Sequence, residues 1–541
     1  MSLKRKHTAA KAEDDNSLVE RVHKLEEKVL SSHQHLNDIA EIFDIAKGDH
    51  AEAAFTAANS LGRIYMGLWT KGLLRRSKQP QESAAAAKVG EWLRTNYKMF
   101  TDLLRKMLGS KEAPLQVTAL RLLLQTMAKE GEAMTKAAGS YMFPNDSYLP
   151  TIEAVLGSSA TSDHLLRIFA DSYLNSYDDL RMYFYRDVAK LASPDYDPFS
   201  SNATKRKAQS DTDTAVSAVF VQNAFSILNQ IRVMPKTEAE DIKSFWVAMP
   251  KNHKGNEPSV LTPPAHRRAF SEAWLALMRQ SLTADVYKQI LLTMHKRIIP
   301  HMTDPKALMD FLSISYNSGG SISLLALNGL FTLITDHNLN YPQFYEKLYA
   351  LFDRNLFHVK YRARFFRLLD IFLGSSHLPA YLIAAFIKRM ARLALSAPPS
   401  GVVVAIPMIY NLLKSHPSCM VLIHRMPGYD AETGEEDVTE DADPFMAGEP
   451  DPAKCLAIQS SLWELETLQH HYYPNIATLA RIFNEPFHKP QFMLEDFLDH
   501  TYNTFFESDT ARRPKKAAAL AAQPPTSLIR PGDALSDFLA L

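Results

Sequence analysis

Helical periodicity recurs along almost the whole chain, and it constrains the fold more than any other feature of the sequence. The pattern is clearest between Asn338 and Leu395, where apolar residues recur every three or four positions in three successive segments. These segments are Tyr341–Asp353, Lys360–Leu373 and Leu378–Leu395. A period of 3.6 residues predicts helices that bury one side. Because we find no convincing alternation of apolar and polar residues, we predict an all-α fold.

The helical segments follow one another with short connections and form hairpins of about 35–45 residues, without a strict repeat. This arrangement predicts a HEAT- or armadillo-like helical-repeat solenoid. An irregular multi-helix bundle is the alternative architecture. A chain of 541 residues is too long for one compact core, so two or more domains or an extended array are expected. The sequence opens without an apolar signal-peptide core and contains no membrane-spanning run, so we expect a soluble intracellular protein.

Changes in composition divide the chain into segments. We predict a disordered basic tail over 1–16, a helical domain over 17–192, a linker over 193–215, central helical repeats over 216–425, an acidic disordered loop over 426–452, further helices over 453–508 and a tail over 509–541. The acidic loop is the sharpest change, with eight acidic residues and no lysine or arginine between Asp430 and Asp443. Such a run cannot bury enough apolar surface to become ordered.

The first helical segment and the two ends of the chain leave alternatives open. Apolar residues between Leu18 and Ala46 alternate at spacings of four and three, with only Ser32 out of character. This seam predicts either a coiled coil with a partner or, as we favour, a first helix that docks on the rest of the chain. The basic clusters at 4–6 and 205–207 are either solvated charge or localisation signals. The apolar motif at 535–539 is either a short docking helix or part of a disordered end.

The sequence contains no pattern that is typical of an enzyme. It has no glycine-rich phosphate loop and no helical zinc motif. Cys419 and Cys455 form no metal or disulfide framework, and Glu464 and Glu466 have no partner that the sequence shows. We therefore expect no catalytic activity, cofactor or metal. Lys+Arg and Asp+Glu both number 60, so any contact with RNA would need a local basic patch.

Basic residues lie between the apolar stripes of segment 341–395. Lys360, Arg364 and Arg367 fall at i, i+4 and i+7 on one helix, and Lys388 and Arg392 repeat the i, i+4 spacing on the next. We predict that exposed residues of this segment bind a protein partner or RNA. The candidates are Tyr341, Phe344, Lys360, Arg362, Arg364, Arg367, Lys388, Arg389 and Arg392. The alternative is that the arginines pair with acidic neighbours, for example Arg367 with Asp370.

The segment His337–Leu395 closely resembles the hallmark region of the CCAAT-binding-factor/Mak-type family. The resemblance covers roughly residues 321–507. Further matching motifs are Ser321–Phe331, Ala397–Pro399, Asn411–Pro417, Asp443–Phe445, Ser460–Leu465, His471–Pro474 and Leu494–Leu498. The first 300 residues resemble the family only in being helical.

This resemblance implies a nucleolar assembly factor of the small ribosomal subunit. Such a factor acts in the small-subunit processome, in pre-rRNA processing and in export of the pre-40S particle. The resemblance also implies that the C-terminal domain forms a complex with nucleolar protein 14 and has no catalytic residues. Two other classes stay open: a transport-type solenoid that binds protein cargo, and an enzyme with a non-obvious site. A polar pocket with perturbed titratable groups would favour an enzyme.

Overall fold

The computed structural model describes residues 2–48, 51–75, 84–193, 217–235, 238, 242–250, 258–341, 343–359, 361–375, 377–424 and 443–511. The chain divides into two compact units, unit 1 over Met1–Asn340 and unit 2 over Tyr341–Leu541. Within the described residues the regular elements are helices, and no β-strand occurs. The prediction of an all-α fold is therefore confirmed for this part of the chain.

Several of the predictions concern residues outside the described ranges. They are the cluster at 205–207, Lys360, the acidic run before Asp443 and the apolar motif at 535–539. The side chains of the cluster at 4–6 also lie outside, although the backbone there is part of the first helix.

Unit 1 is built from helices that follow one another along the chain. They are α1 (Ser2–Ser31), α2 (Asp38–Ala46), α3 (Ala51–Thr70), α4 (Ala84–Leu108), α5 (Ala113–Ala138), α6 (Asn145–Gly157), α7 (Asp163–Ile168), α8 (Asp178–Leu191), α9 (Ala218–Gln230), α10 (Pro263–Met278), α11 (Ala284–Thr293), α12 (Met309–Asn317) and α13 (Gly320–His337). Two of these helices continue as π-helical turns, α7 into Phe169–Leu174 and α11 into Met294–Ile298.

The predicted N-terminal seam is split between α1 and α2, and the break falls at Ser32. The Ser32 hydroxyl accepts a hydrogen bond from the backbone N–H of Gln34 at 3.3 Å. A serine at this position competes with helical hydrogen bonding and favours a turn. The one polar residue of the seam therefore marks the point at which the helix ends.

The apolar seam of α1 is covered within unit 1. Val22 and Val29 are buried. Beside them, Glu26 accepts hydrogen bonds at 2.7 Å from the Ser60 hydroxyl and from Nη2 of Arg63, both on α3. Of the two predicted alternatives, the structure shows the docked helix.

Helix α5 illustrates how the sequence sets up antiparallel hairpins. Pro114 lies in its first turn, where a missing N–H leaves no helical hydrogen bond unmade. Gly139 ends the helix in the left-handed conformation, with φ +69°. Gly62 of α3 faces Leu122 of α5, and a Cβ on this glycine would lie 2.8 Å from Cδ2 of the leucine. The missing side chain lets the two helices pack closely.

A non-helical segment, residues 242–250, is held against α8 and α5 by buried hydrogen bonds. Asp179 of α8 accepts hydrogen bonds from the backbone N–H groups of Trp246 and Val247, at 2.9 and 3.0 Å. The Trp246 indole donates to the carbonyl oxygen of Leu124 at 2.8 Å. Burial raises the pKa of Asp179, and these backbone hydrogen bonds oppose the rise.

The helices of unit 2 surround one buried helix. They are α14 (Phe344–Ala350), α15 (Arg362–Leu373), α16 (Ala380–Ala394), α17 (Pro399–Ser415), α18 (Trp463–Gln469), α19 (Pro474–Ala480), α20 (Glu495–Leu498) and α21 (Tyr502–Ala511). Every residue of α17 from Ser400 to Leu413 is buried. Gly401 lets this helix approach Phe357, since an added Cβ would lie 2.8 Å from the ring. Helix α17 is thus the central helix of the unit 2 core.

The boundary between the units falls inside segment 216–425, which we predicted as one domain. Helix α13 ends at Asn338 with φ 50°, and Gln343 precedes α14 with φ 62°. Two left-handed residues so close together interrupt the helical path. Residues 443–452, which we assigned to the acidic loop, are described and contact the helices of unit 2.

Candidate binding surface

Lys388 of α16 lies at the centre of the basic segment, and its side chain is completely buried. Its Nζ lies 2.8 Å from Oε1 of Glu464 and 2.9 Å from Oδ2 of Asp443. It also donates a hydrogen bond to the carbonyl oxygen of Ser461 at 2.6 Å. We predicted Lys388 as an exposed contact for a partner or for phosphate. The structure instead encloses its ammonium group among acceptors of its own chain.

Two aromatic rings and further hydrogen bonds complete this cluster. Nζ of Lys388 lies 5.7 Å from the centroid of Phe445 and 5.4 Å from that of Trp463, within the range of a cation–π contact. The Trp463 indole donates to Oδ2 of Asp443 at 2.9 Å, and the Ser460 hydroxyl donates to Oδ1 of the same carboxylate. The lysine therefore joins α16 to two segments that are distant in sequence.

The two carboxylates of the cluster are affected differently by their surroundings. Burial opposes ionisation of Asp443, but the hydrogen bonds that it accepts from the lysine, serine and tryptophan side chains outweigh burial and hold its pKa well below its usual range. Glu464 is fully buried, and burial raises its pKa although Lys388 donates to it. Nη1 of Arg392, 3.6 Å from Oε1 of Glu464, adds a second positive charge.

The cluster assembles motifs that carried the family resemblance without an assigned role. Asp443 and Phe445 come from one motif, and Trp463 and Glu464 from another. Their convergence could not be predicted from the sequence because Glu464 lies 76 residues from Lys388. The sequence did contain one indication that Lys388 is buried. An alanine lies one helical turn before it, at 384, and another one turn after it, at 391, and both are buried. A lysine on an apolar face requires buried acceptors.

Two predicted arginines also hold their own chain together. Nε of Arg389 donates to the carbonyl oxygen of Phe352 at 3.0 Å, and its Nη1 donates to that of Glu449 at 3.3 Å. Nη2 of Arg362 donates to the carbonyl oxygen of His500 at 3.1 Å. Burial lowers the pKa of Arg362. Arg389 thus fixes residues of the predicted acidic loop, and Arg362 fixes the segment that leads into α21.

Arg367 forms an ion pair, but not with the neighbour that we considered. Its Nε and Nη2 each lie 2.7 Å from an oxygen of Glu495, a bidentate arrangement, and Nη2 lies 3.7 Å from Asp499. The alternative partner was Asp370, whose pKa burial raises. The observed pair connects α15 to α20 across 128 residues of sequence.

The other described candidates are half-buried. Nη1 of Arg364 is buried without a hydrogen-bond partner. The Tyr341 hydroxyl accepts a hydrogen bond from Nζ of Lys347 at 2.9 Å. The ring of Phe344 lies 4.7 Å from that of Phe372. These two aromatic candidates therefore contribute to packing within unit 2.

Arg392, near the C-terminal end of α16, is partly exposed. Its guanidinium carbon lies over the Trp463 ring, 4.6 Å from the centroid. About a third of the Arg392 side chain is exposed, at 35%, and Trp463 is 40% exposed. Arg392 and Trp463 are therefore partly exposed residues next to the buried cluster around Lys388.

Larger exposed aromatic side chains lie in the C-terminal part of unit 2. Tyr472, Tyr502 and Phe506 are 79%, 62% and 71% exposed, and we call these three residues the C-terminal aromatic surface. Helix α21, which carries two of them, has no buried residue. The rings of Tyr473 and Phe505 lie 5.4 Å apart and bring the two segments together. We placed a helix here from the sequence but did not identify its exposed side chains.

The described ranges contain no site for a metal ion and no membrane-spanning helix. No group of three or more histidine, cysteine, aspartate and glutamate side chains there is arranged to hold a metal ion. None of the described helices is both long and apolar enough to cross a membrane.

Two family models match the chain. Residues 323–480 match the CBF/Mak21 family, which confirms the family resemblance noted in the sequence. Residues 10–196 match the model described as "Nucleolar complex protein 4-like, TPR repeats". This second match confirms the prediction of a helical-repeat architecture. The repeats are described as TPR rather than HEAT-like, and both types stack helical hairpins.

Relatives match nearly the full length of the chain. It is 42% identical over 496 residues to an uncharacterised protein of Schizosaccharomyces pombe, covering 91% of this chain and 95% of the relative. It is 35% identical over 526 residues to the human Nucleolar complex protein 4 homolog, covering 95% and 96%. The Danio rerio homolog of the same name is 34% identical over 512 residues, covering 93% and 92%.

The names of the human and zebrafish relatives agree with the predicted nuclear and nucleolar localisation. The TPR-repeat match lies in unit 1, whereas the CBF/Mak21 match and the relatives extend into both units. The chain therefore belongs to the nucleolar complex protein 4 family, whose members act in ribosome biogenesis in the nucleolus.

Proposed function

We propose that this protein is a non-enzymatic scaffold of small ribosomal subunit assembly that binds nucleolar protein 14 through unit 2. Within the small-subunit processome, this contact serves pre-rRNA processing and export of the pre-40S particle. Membership of the family supports the general role. The C-terminal aromatic surface supports the protein contact.

The C-terminal aromatic surface is the observation that carries this proposal. Tyr502 and Phe506 are one turn apart on α21 and both project from a helix with no buried residue. Large aromatic side chains contribute much of the binding energy at protein interfaces, because a partner that covers them removes a large apolar area from water. Tyr472 extends this surface from the segment that packs on Phe505 through Tyr473.

The charged residues of α15 and α16 support the scaffold role in a second way, because they hold segments of unit 2 together. Lys388, Arg389 and Arg367 attach segments 443–464 and 495–499 to these helices. They hold the C-terminal part of unit 2 in the position from which the aromatic surface is presented. In this proposal the main partner contacts are aromatic, and Arg392 is a partly exposed member of the original candidates, beside Trp463.

The test is a pull-down of nucleolar protein 14 by the full chain. We expect the double variant Tyr502→Ala with Phe506→Ala to recover at least about tenfold less partner, since interface hot spots contribute about 2 kcal/mol or more each. Both side chains are exposed, so the melting temperature should not change. The matched control is Ile314→Ala, which truncates a side chain of unit 1 that is 65% exposed.

Equal recovery of nucleolar protein 14 by the double variant and by the control would reject this surface as the binding site. The assembly role has a separate test, co-sedimentation of the protein with pre-40S particles. Transport of a protein cargo without such co-sedimentation would favour the transport-type alternative.

A further inference from the structure

A cleft in unit 1 lies between α8 and α10, beside the start of α6. Its volume is about 1110 Å³. Three basic side chains line it, Arg186, Lys190 and Arg279, and all three are exposed. The proposed contact with nucleolar protein 14 does not use this cleft, because that contact belongs to unit 2.

Aromatic rings and a guanidinium group form one wall of the cleft. The rings of Phe143 and Tyr183 are stacked, with their centroids 3.9 Å apart and an angle of 6° between their planes. The guanidinium carbon of Arg186 lies over the Tyr183 ring, 5.4 Å from its centroid. Both Tyr183 and the exposed Arg186 line the cleft, so a flat ligand can stack on the guanidinium plane that the tyrosine ring supports.

The charge of the cleft is mainly positive near neutral pH. Its two acidic residues are Asp187 and Glu272. Burial raises the pKa of Asp187 to about 7, against the opposing effect of Lys190 and Arg186. Glu272 already accepts a hydrogen bond at 2.8 Å from Nε of Arg268, which lies outside the cleft. An anionic ligand therefore meets more positive charge than negative.

The floor of the cleft contains hydrogen-bond acceptors. Nδ2 of Asn145 donates to Oδ1 of Asp187 at 3.2 Å. Oδ1 of Asn145 and Oδ2 of Asp187 are buried and have no hydrogen-bond partner. The described hydrogen bond of the Asp187 carboxyl is with the Asn145 amide, and no described hydrogen bond joins this carboxyl to a nucleophile that it could activate. The arrangement therefore fits ligand recognition better than catalysis.

We propose that this cleft binds single-stranded RNA, with phosphates on Arg186, Lys190 and Arg279 and a base against the Arg186 guanidinium where it lies over Tyr183. Proteins bind single-stranded nucleic acid by combining basic grooves with aromatic or guanidinium planes on which bases stack. An acidic peptide would use the cations but would make no use of the stacked wall.

The binding test uses the full chain and a fluorescein-labelled, ten-nucleotide RNA of mixed uridine and adenosine, measured by fluorescence anisotropy in 50 and 200 mM KCl. We expect the triple variant Arg186→Glu, Lys190→Glu, Arg279→Glu to bind at least tenfold more weakly at the lower salt concentration. Each lost phosphate contact reduces the slope of log K against log[KCl] by about 0.7, so the slope should fall by about 2.

A matched charge control separates the cleft from the general charge of the protein. Lys88, Lys98 and Lys106 are exposed on α4 and do not line the cleft. The triple variant with glutamate at these three positions has the same net charge as the cleft variant. We expect its affinity to stay within about twofold of the wild type. Equal losses in the two triple variants would overturn the proposal.

The stacking contact has its own pair of variants. Tyr183→Phe keeps the ring and should leave the affinity unchanged. Tyr183→Leu removes the ring that supports the Arg186 guanidinium plane and should weaken binding about tenfold at an unchanged salt slope, because a stacked base contributes about 1–3 kcal/mol. Equal affinity of the leucine and phenylalanine variants, each with a wild-type melting temperature, would overturn the stacking contact.

A ten-residue polyglutamate peptide tests the other class of ligand. We expect it to compete with the RNA only weakly. Displacement of the RNA by this peptide at a concentration below that of the RNA would show that the cleft is an acidic-peptide site and would overturn the proposal. Because nucleolar protein 14 is absent from these assays, their outcome is independent of the partner proposed for unit 2.

Discussion

Helices α8 and α16 carry basic residues at the same spacing, with opposite results. Arg186 and Lys190 of α8 lie four residues apart and are both exposed in the cleft of unit 1. Lys388 and Arg392 of α16 have the same spacing, but Lys388 is completely buried and Arg392 only about a third exposed. The i, i+4 pattern shows that two side chains share a helix face. It does not show whether that face meets solvent.

What distinguishes the two helices is an acidic segment from elsewhere in the chain. In unit 2, Asp443 and Glu464 reach the ammonium group of Lys388 and compensate its charge. In unit 1, the acidic residue between the two cations in sequence is Asp187, whose raised pKa leaves it only partly charged near neutral pH. Lys388 of α16 therefore stabilises the fold, whereas Arg186 and Lys190 of α8 lie exposed in the cleft.

The largest expected effect comes from removing the compensated lysine. Lys388→Ala leaves the carboxylates of Asp443 and Glu464 without their ammonium group. Removing one partner of a buried ion pair costs about 3–5 kcal/mol, because the other charge is left uncompensated. Denaturant unfolding of the full chain, followed by circular dichroism, should show this loss in the transition that belongs to unit 2.

Two further variants sharpen this prediction. Lys454→Ala removes an exposed lysine that pairs with Asp451 at 3.1 Å, and it should have no measurable effect. The double variant Lys388→Met with Glu464→Gln removes one charge of each sign and should recover part of the stability lost in Lys388→Ala. Equal unfolding curves for Lys388→Ala and Lys454→Ala would contradict the assignment of a structural role to the buried cluster.

A smaller effect is expected from the buried acid beside the cleft of unit 1. The pKa of Asp187 is raised to about 7 in the folded protein, whereas the ordinary value is 3.8. The folded state therefore keeps a proton that the unfolded state has already lost, so this residue makes folding more favourable as the pH falls from about 8 towards 4. Between pH 8 and pH 5 its contribution should increase by roughly 2 kcal/mol.

The measurement is the free energy of unfolding as a function of pH for the wild type and for Asp187→Asn. The asparagine variant has nearly the same shape and cannot ionise, so its curve should lie above that of the wild type at pH 8 and approach it at pH 5. Other titrating groups contribute to both curves and cancel in the difference. A constant difference across this range would show that Asp187 does not titrate there.

The helices of this protein were predictable from sequence, because the periodicity that reveals a helix extends over only a few residues. The break at Ser32 shows how local this information is: one polar residue in the seam marked the end of α1. Contacts between Lys388 and Glu464, or between Arg367 and Glu495, span 76 and 128 residues. No local pattern specifies such pairs, so the candidate site was predicted as exposed when much of it is internal.

The exposed aromatic residues could not be identified from sequence for the same reason. Tyr502 and Phe506 lie at i and i+4, a spacing that normally indicates the buried side of a helix. Their exposure depends on whether another element covers them, and in the described part of unit 2 none does so completely. Periodicity therefore predicted the helix but not whether these two side chains are exposed.

The smallest expected effect tests the exposed ion pair that joins α15 to α20. Arg367→Glu places a third acidic side chain beside Glu495 and Asp499. The pair is exposed to solvent, so the melting temperature should fall by no more than roughly 1–2 °C. Recovery of nucleolar protein 14 should fall by a few fold, because α20 and the following α21 lose one of their attachments.

The charge-swapped variant Arg367→Glu with Glu495→Arg distinguishes a positioning role from a direct contact. If Arg367 acts by holding α20, the swapped pair restores the attachment and the recovery of nucleolar protein 14 returns to that of the wild type. If the guanidinium of Arg367 contacted the partner or pre-rRNA directly, the swap would leave binding as weak as in the single variant. We expect restoration, because the bidentate contact with Glu495 already occupies Nε and Nη2 of the arginine. If the swap failed to restore binding, Arg367 would be a direct contact, as we propose for the exposed cations of α8. The basic residues of unit 2 would then not differ from those of unit 1 in this respect.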